Sequence, residues 1–311
     1  MFAGHPIKRF KTRENELMKV RFIIGPGPRQ KRFAEKVTDA VRERLEAESG
    51  IFEVKSAMSK AHAGDLSMEA VKRGFEAVFA CGDAVTVNRA AAPLVDTPAA
   101  LGIVSRGSSA GLALSLGIPL DIDGAVGLLR KWKIRPMDVG VVCGRYFLST
   151  AECAVDALMS KRRAAGFLKN ISPTAAQGLP LLVWEYLRHK PREVFIKTSS
   201  YAKNITPLFL VAANTDRGAN SFVSAPEAAP DDGALDVCYV PDKGLSGATA
   251  AIKKLISGKV NGATGFERVR TDKMEIIAKG TTTVFADGEA FECPGTITLG
   301  ILPKKLNVFV S

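Results

Sequence analysis

Residues 77–81 read Ala-Val-Phe-Ala-Cys, are apolar at every position and precede a Gly-Asp pair. A short run of this kind predicts a strand that is buried on both of its faces. Similar runs stand at 20–24, where one arginine interrupts the run, and at 101–104. Apolar residues at helical spacing follow the first of these strands over 33–45. Doubly buried strands that alternate with helices predict a parallel α/β sheet.

The residues between a second strand, expected at 51–56, and the third strand predict another helix. Asp65 is a suitable N-cap, because its carboxylate can accept hydrogen bonds from the first free backbone N–H groups. Met68, Val71 and Phe75 follow at helical spacing and are expected to form the buried face of this helix.

The sequence pattern changes past residue 130. Short strands bounded by Gly, Asp or Pro are expected at 137–142, 145–148, 193–198, 207–213, 235–240, 272–278, 281–286 and 295–300, with two helices at 153–168 and 175–189. Successive strands without intervening helices are typical of an antiparallel sandwich. The predicted fold class is therefore α/β with two domains, an N-terminal α/β domain with a mostly parallel sheet and a C-terminal β-rich, sandwich-like domain.

The predicted domain limits follow from this change in pattern. A basic arm is expected over 1–17, the α/β domain over 18–130 and the β-rich domain over 131–300. The last strand, within 301–311, could pair locally or return to the first domain.

Charge and cysteine content exclude several classes of protein. Lys and Arg total 43 and Asp and Glu total 32, so the net charge is +11. This surplus favours an anionic partner, although a soluble surface with a high pI is the simpler alternative. Five widely spaced cysteines without a C-x-x-C pair, and three scattered histidines, predict neither a disulfide framework nor a zinc or His-based metal site, and are typical of a reducing cytosol. No apolar run approaches the roughly 20 residues that span a bilayer, so membrane contact is expected to be peripheral.

Three loops are expected at the carboxyl ends of parallel strands, where ligands bind in open α/β sheets. They span 25–31, 81–88 and 105–111 and are rich in glycine, hydroxyl or basic residues. None is a Walker A loop and none reads G-x-G-x-x-G. Each alone is more often a structural turn, but three such loops in one sheet predict a nucleotide or phosphate site.

Five short motifs in order resemble a known family. They are S-L-G-I-P at 115–119, R-P-M-D-V-G at 135–140, G-R-Y-F-L at 144–148, D-D-G-A-L-D-V at 231–237 and A-D-G-E at 286–289. From about Lys19 to the C-terminus the chain resembles the soluble lipid kinases of the diacylglycerol kinase catalytic superfamily, which also contains sphingosine and ceramide kinases.

The nucleotide loops depart from that family's pattern. The family's G-G-D-G-T-x-N-E is represented here by Gly82 and Asp83, with Ala84-Val85 in place of glycine, so this loop must follow a different path. The family's G-T-G-N-D corresponds here to G-S-S-A-G at 107–111, which keeps a hydroxyl residue but lacks the Asn and the Asp. By resemblance, ATP would be bound by loop residues of the first domain and by one acidic residue of the second: Gly25, Gly82, Thr86, Asn88, Gly107, Ser108, Ser109 and Glu289.

The resemblance also implies roles for carboxylates. Asp287 and Asp83 would be catalytic residues at one cleft, although Asp287-Gly288 is also an ordinary hairpin-turn signal. Asp232 and the carbonyl of Leu235 would hold Mg²⁺, which prefers such oxygen ligands, or would form a solvated loop. Asp156 would contact the polar head of the lipid, or would cap a helix.

The resemblance implies an ATP- and Mg²⁺-dependent lipid kinase that transfers the γ-phosphoryl group to a hydroxyl of a diacylglycerol-like or ceramide-like lipid. Phosphoryl transfer needs positioned phosphates, a metal ion and a base near the acceptor hydroxyl. The expected partners are the lipid alcohol and an anionic membrane surface on the cytoplasmic side, bound in part by the arm over 1–17, with no nucleic acid. Two alternatives stay open: a catalytically lapsed lipid-binding protein, and an enzyme that resembles NAD kinases.

Overall fold

The computed structural model describes residues 18–45, 50–154, 192–218, 225–244, 246–247 and 267–311. The chain divides into two compact units. The first runs to Val139 and is completed by Pro303–Ser311, and the second contains the described residues between Gly140 and Leu302. Several predictions lie outside the described residues: the arm, the helix at 175–189, Asp156 and the apolar residues at 179–186 that are expected to line a lipid pocket. Of the helix predicted at 153–168, only 153 and 154 are described, and they end a strand instead.

The first unit alternates strands and helices, as its sequence pattern predicts. Its elements are β1 (Met18–Ile24), α1 (Gln30–Leu45), β2 (Gly50–Ser56), α2 (Lys60–Lys72), β3 (Ala77–Gly82), α3 (Ala84–Ala91), β4 (Ala100–Ser105), α4 (Ala110–Ser115), α5 (Ile122–Lys131) and β5 (Ile134–Val142).

The sheet of the first unit is parallel, in the order β2-β1-β3-β4. The end of the last strand of the chain, β14 (Glu289–Phe309), extends it, with Asn307 beside Ala100 in parallel pairing. The final strand therefore returns to the first unit. Phe79 lies between the rings of Phe22 and Phe309, with centroid distances of 5.0 and 5.1 Å, at the centre of the core.

The predicted limits of α2 are wrong at the amino end. The helix begins at Lys60, with Ser59 as its N-cap, and the Ser59 hydroxyl accepts the His62 N–H at 3.1 Å. Asp65 therefore lies within the helix. Met68 is 43% exposed, because the helix buries its smaller residues instead: Ala63, Leu66, Ser67 and Ala70.

A fully buried arginine lies within β1. The Arg21 guanidinium donates to Glu53 at 2.6 Å, to Glu69 at 3.2 Å and to the Leu66 carbonyl at 2.9 Å. It also lies over the Phe75 ring, 4.6 Å from the centroid. Burial opposes ionisation of Glu53, but its hydrogen bonds with arginine hold the pKa of this carboxyl below the ordinary value. The arginine that interrupts the first apolar run is thus a buried charge that is paired with two glutamates.

The second unit is an antiparallel β structure. Its remaining strands are β6 (Arg145–Phe147), β7 (Thr150–Ala154), β8 (Val194–Lys197), β9 (Ala202–Ile205), β10 (Pro207–Ala213), β11 (Leu235–Pro241), β12 (Glu267–Thr271) and β13 (Lys273–Ala286). They pair in the order β12-β11-β10-β7-β13-β14, with β8 and β9 attached to β13. Both predicted fold types are confirmed.

Strand β13 serves two neighbours because a bulge divides it. The register with β14 shifts between Ile277 and Thr281, where Gly280 has a φ of 81°. Before the bulge β13 pairs with β8, and after it with β7. The sequence pattern predicts two strands here; the structure has one strand with a bulge at a glycine.

The expectation of reduced cysteines is wrong for one pair. Cys143 and Cys293 form a disulfide, with their Cα atoms 6.7 Å apart. The two residues are 150 positions apart in sequence and are brought together by the β5–β6 turn and β14, which spacing alone could not reveal. Cys81, Cys153 and Cys238 are free and buried.

Within the described ranges, no helix is long and apolar enough to cross a membrane.

Candidate functional site

Polar loops meet at the carboxyl edge of the parallel sheet. Because β1, β3 and β4 are neighbouring parallel strands, the residues that follow them lie side by side. The Gly25 N–H donates to the Cys81 carbonyl at 2.8 Å, and the Arg106 N–H donates to the Gly82 carbonyl at 3.0 Å. These bonds hold the three predicted loops against one another.

Asp83 lies at the centre of this edge, as the N-cap of α3. One carboxylate oxygen, Oδ1, accepts from the Thr86 N–H at 3.0 Å, from the Thr86 hydroxyl at 2.8 Å and from the ammonium of Lys60. The other oxygen, Oδ2, has no hydrogen-bond partner among the described residues. Burial alone would raise the pKa of Asp83, but the hydrogen bonds from Lys60 and Thr86 hold it below its ordinary value. Asp83 is therefore a fixed, ionised carboxylate with one available oxygen.

Lys60 is a site residue that sequence reasoning missed. It is the first residue of α2, directly after the loop that follows β2, and its Nζ donates to Thr86 Oγ1 at 2.9 Å as well as to Asp83. Its side chain is 31% exposed. The available signal was its position after the second of four parallel strands, where ligand-binding residues concentrate.

Two glycines let the loops approach the Thr86 side chain. A Cβ atom on Gly25 would lie 2.4 Å from Thr86 Oγ1, and one on Gly82 would lie 2.9 Å from it. Neither glycine has a positive φ, so close approach, and not backbone conformation, requires them. The glycines around the start of α3 thus allow close packing against Thr86, and they do not supply the positive φ angles of a glycine-rich turn.

Hydroxyl groups connect the loop after β4 to the start of α3 and to the end of β3. Ser108 Oγ accepts the Ala84 N–H at 3.1 Å, and the Ser109 hydroxyl donates to the Gly82 carbonyl at 2.6 Å. Gly107, with a φ of 70°, forms the turn between Arg106 and these serines. The predicted binding residues of this loop therefore stabilise the site.

Arg106 connects the first loop to this one. Its guanidinium lies over the Phe33 ring at 4.9 Å and donates from Nη2 to the Pro26 carbonyl at 3.3 Å. A Cβ atom on Gly27 would lie 2.6 Å from the same nitrogen. Arg106 therefore fixes the shape of the first loop.

Asp287 lies in the second unit and forms a two-residue hairpin turn with Gly288. Asp287 is 3% exposed, and its carboxylate accepts three backbone N–H groups, from Leu148 at 2.7 Å, Ser149 at 2.9 Å and Thr150 at 3.2 Å. The backbone of Asp287 forms the hairpin turn that its Asp-Gly pair predicts. Its side chain connects this hairpin to the start of β7 through the three hydrogen bonds. That Asp287 shares a site with Asp83, or acts as a base, stays a prediction.

The other predicted residues fall in different places. Glu289 is the first residue of β14 and is half-buried, and Asn88 lies in α3, also half-buried. Asp156 lies outside the described residues. The first unit brings together most of the predicted residues of the three loops: Gly25, Gly82, Asp83, Thr86, Gly107, Ser108 and Ser109.

In the loop predicted to bind Mg²⁺, Arg270 neutralises the charge of Asp232. Asp232 Oδ2 accepts from Arg270 at 2.7 Å, and Oδ1 accepts the Ala234 N–H at 3.1 Å, so both oxygens are used. Leu235 begins β11 and pairs with β12. Burial raises the pKa of Asp232, and neighbouring carboxylates add to this effect. The described residues include no group of three or more His, Cys, Asp or Glu suited to a metal ion. In this arrangement the loop does not fit Mg²⁺.

We expect removal of divalent cations to leave the stability of the second unit unchanged. In the absence of nucleotide, the melting temperature should agree within about 1 °C in millimolar Mg²⁺ and in EDTA, because a ligand stabilises a fold only where it binds. Replacement of Arg270 by methionine frees Asp232 and should make the melting temperature rise with Mg²⁺. A wild-type protein that loses several degrees in EDTA would contradict the arginine assignment.

Comparisons with known proteins agree with this architecture. Residues 19–142 match the diacylglycerol kinase catalytic domain, and residues 152–310 match the YegS C-terminal NAD kinase beta sandwich-like domain. A probable lipid kinase YegS-like protein of Pseudomonas aeruginosa strain UCBPP-PA14 is 28% identical over 226 residues, which cover 72% of this chain and 73% of the relative.

Solved structures show the same fold. A putative diacylglycerol kinase from Bacillus anthracis strain Sterne superposes with a TM-score of 0.73 at 17% identity, over 96% of this chain and 99% of that one. A diacylglycerol kinase from the same strain gives a TM-score of 0.71 at 16% identity, with 96% and 98% covered. Since both family domains match in sequence order and the motif resemblance points the same way, this chain belongs to the diacylglycerol kinase catalytic superfamily.

Proposed function

We propose that this protein is an ATP-dependent lipid kinase that transfers the γ-phosphoryl group to a hydroxyl of a long-chain lipid, either diacylglycerol-like or ceramide-like. Family membership supports kinase chemistry. The observation that carries the proposal is Asp83, a carboxylate fixed through one oxygen at the carboxyl edge of a parallel sheet while its other oxygen has no partner among the described residues.

The environment of Asp83 suits a cation better than a proton. A general base works best with a pKa near the working pH, whereas that of Asp83 is lowered. Mg²⁺ in nucleotide sites is bound through one or two carboxylates together with substrate phosphates, so Asp83 fits the metal that accompanies ATP. When bound, that metal would neutralise charge on the phosphates. Asp83 itself would hold the nucleotide end of the reaction in place.

The acceptor and its location are part of the same proposal. A relative is named a probable lipid kinase, and a net charge of +11 favours an anionic bilayer as the surface that presents the lipid. Peripheral association on the cytoplasmic side would let the protein reach a headgroup hydroxyl without a membrane span.

Phosphoryl transfer can be measured directly. Labelled ATP should yield labelled lipid when diacylglycerol, ceramide or a sphingoid base is presented in vesicles that contain anionic phospholipid, with Mg²⁺ present and not with EDTA. Labelled NAD and no labelled lipid would favour the NAD kinase-like alternative. No product with any acceptor would favour the lapsed lipid-binding alternative.

Replacement of Asp83 by asparagine should reduce turnover about a hundredfold or more, the order of loss that follows removal of one charge-stabilising group. Asparagine remains a good N-cap, so the melting temperature should change little. Asp65→Asn is the matched control, since Asp65 is exposed on α2 of the same unit. Equal turnover of Asp83→Asn and the control would contradict the role of Asp83.

A further inference from the structure

The start of α3 offers few free N–H groups to an anion. The Ala84 N–H donates to Ser108 Oγ at 3.1 Å, and the Thr86 N–H donates to Asp83 Oδ1 at 3.0 Å. The Val87 N–H donates to the Asp83 carbonyl within the helix. A phosphate group usually binds such a helix start through these same donors. Because three of these donors are used internally, most of the positive charge for an anion must come from side chains.

Two cationic side chains, Lys60 and Arg106, bond to the loops at this edge, and they are engaged differently. Arg106 lies over Phe33 and donates from Nη2 to the Pro26 carbonyl, so its guanidinium is held against the first loop, with a buried Nη1 that has no partner among the described residues. Lys60 donates to Asp83 and to Thr86, and an ammonium group carries three donors. One N–H of Lys60 therefore remains for a ligand, on a side chain that is 31% exposed.

Lys60 also sets the charge next to Asp83. Without the ammonium, the buried side of this site would present a bare carboxylate, which repels phosphate. With it, the Lys60–Asp83 pair is neutral, and the third donor adds a charge-assisted hydrogen bond.

We propose that Lys60 is a phosphate-binding residue of this site, and that its ligand is the polyphosphate chain of a nucleoside triphosphate. The assignment of the phosphate to a nucleotide rests on the proposed function. Binding of inorganic phosphate chains does not, since it depends only on the charge and geometry around Lys60.

Binding of tripolyphosphate in EDTA, measured by calorimetry, tests the proposal without catalysis. Lys60→Met should weaken binding roughly ten- to a hundredfold, the value of one hydrogen bond to a charged group. Lys72→Met is the matched control, because Lys72 is exposed at the opposite end of the same helix and should bind as the wild type does. No binding by the wild type, or equal binding by Lys60→Met and Lys72→Met, would overturn the proposal.

A double variant separates direct contact from simple neutralisation of Asp83. If Lys60 contacts phosphate, Lys60→Met combined with Asp83→Asn should bind more weakly than Asp83→Asn alone. If the ammonium only offsets the carboxylate, the double variant and Asp83→Asn should bind equally, and the proposal fails. Lys60→Arg, which retains the charge, should recover part of the lost affinity.

The source of the phosphate follows from parallel titrations with ATP and with a phosphorylated lipid in vesicles. ATP affinity that falls in Lys60→Met, with lipid affinity unchanged, supports the nucleotide assignment, and the reverse pattern overturns it. Tripolyphosphate binding that depends on Lys60, in a protein that phosphorylates no acceptor, would reject the proposed function and keep the phosphate site.

Discussion

Replacement of Asp287 by asparagine should lower the free energy of unfolding by about 2–4 kcal/mol, because a buried donor that loses its acceptor costs about 1–3 kcal/mol. The carboxylate accepts N–H groups from Leu148, Ser149 and Thr150 through both oxygens. An asparagine side chain has one carbonyl oxygen and one amide nitrogen, and the nitrogen would face a donor wherever it is placed. Urea denaturation measures the loss.

The matched control is Asp272→Asn, an exposed aspartate between β12 and β13 of the same unit, which should change stability by less than about 0.5 kcal/mol. Phosphoryl transfer should be assayed far below the melting temperature of the variant. Turnover that falls by about a hundredfold or more in a fully folded Asp287→Asn protein would add a catalytic role. Unchanged stability of Asp287→Asn would contradict the stabilising role of the three hydrogen bonds to this carboxylate.

Replacement of Arg21 by methionine should cost about 2–4 kcal/mol of unfolding free energy, since removal of one partner from a buried ion pair leaves uncompensated charge. The guanidinium is fully buried and bonds to two glutamates and the Leu66 carbonyl. Because Glu53 and Glu69 are partly exposed, water can solvate them in the variant, and the expected loss of stability is below the largest losses known for buried ion pairs.

Arg73→Met is an unusually close control for this variant. Arg73 contacts the same two glutamates, each at 2.9 Å, and lies 5.2 Å from the same Phe75 ring, but its side chain is half exposed. Its loss should therefore cost about 1 kcal/mol or less. Equal midpoints of urea denaturation for Arg21→Met and Arg73→Met would show that burial does not determine how much each arginine stabilises this cluster.

The sequence predicts the strands of the first unit well because burial on both faces leaves an uninterrupted apolar run, as at 77–81. It also predicts which loops meet, because parallel neighbours end at one edge. Helix starts are less visible. Ser59 and Asp65 are both good caps, and the choice between them depends on packing of small residues against the sheet. With the helix starting at Lys60, that side chain bonds to Asp83 and Thr86, which a start at Asp65 did not predict.

Other features depend on long-range pairing. The Cys143–Cys293 disulfide joins residues whose proximity follows from strand order and not from local sequence. The environment of Asp287 is similar: its Asp-Gly pair predicts a turn, but its three N–H donors come from residues nearly 140 positions earlier. Family resemblance identified the position, and only the structure shows what the side chain bonds to.

The return of β14 to the first unit has a consequence for synthesis of the chain. Strand β4 finds its outer partner only when residues 303–309 have been made, about 200 positions later. Until then a nascent first unit carries an open, apolar strand edge of the kind that pairs with other chains. The sheet of the first unit is thus begun early in synthesis, and β4 gains its outer neighbour only after the whole second unit has been translated.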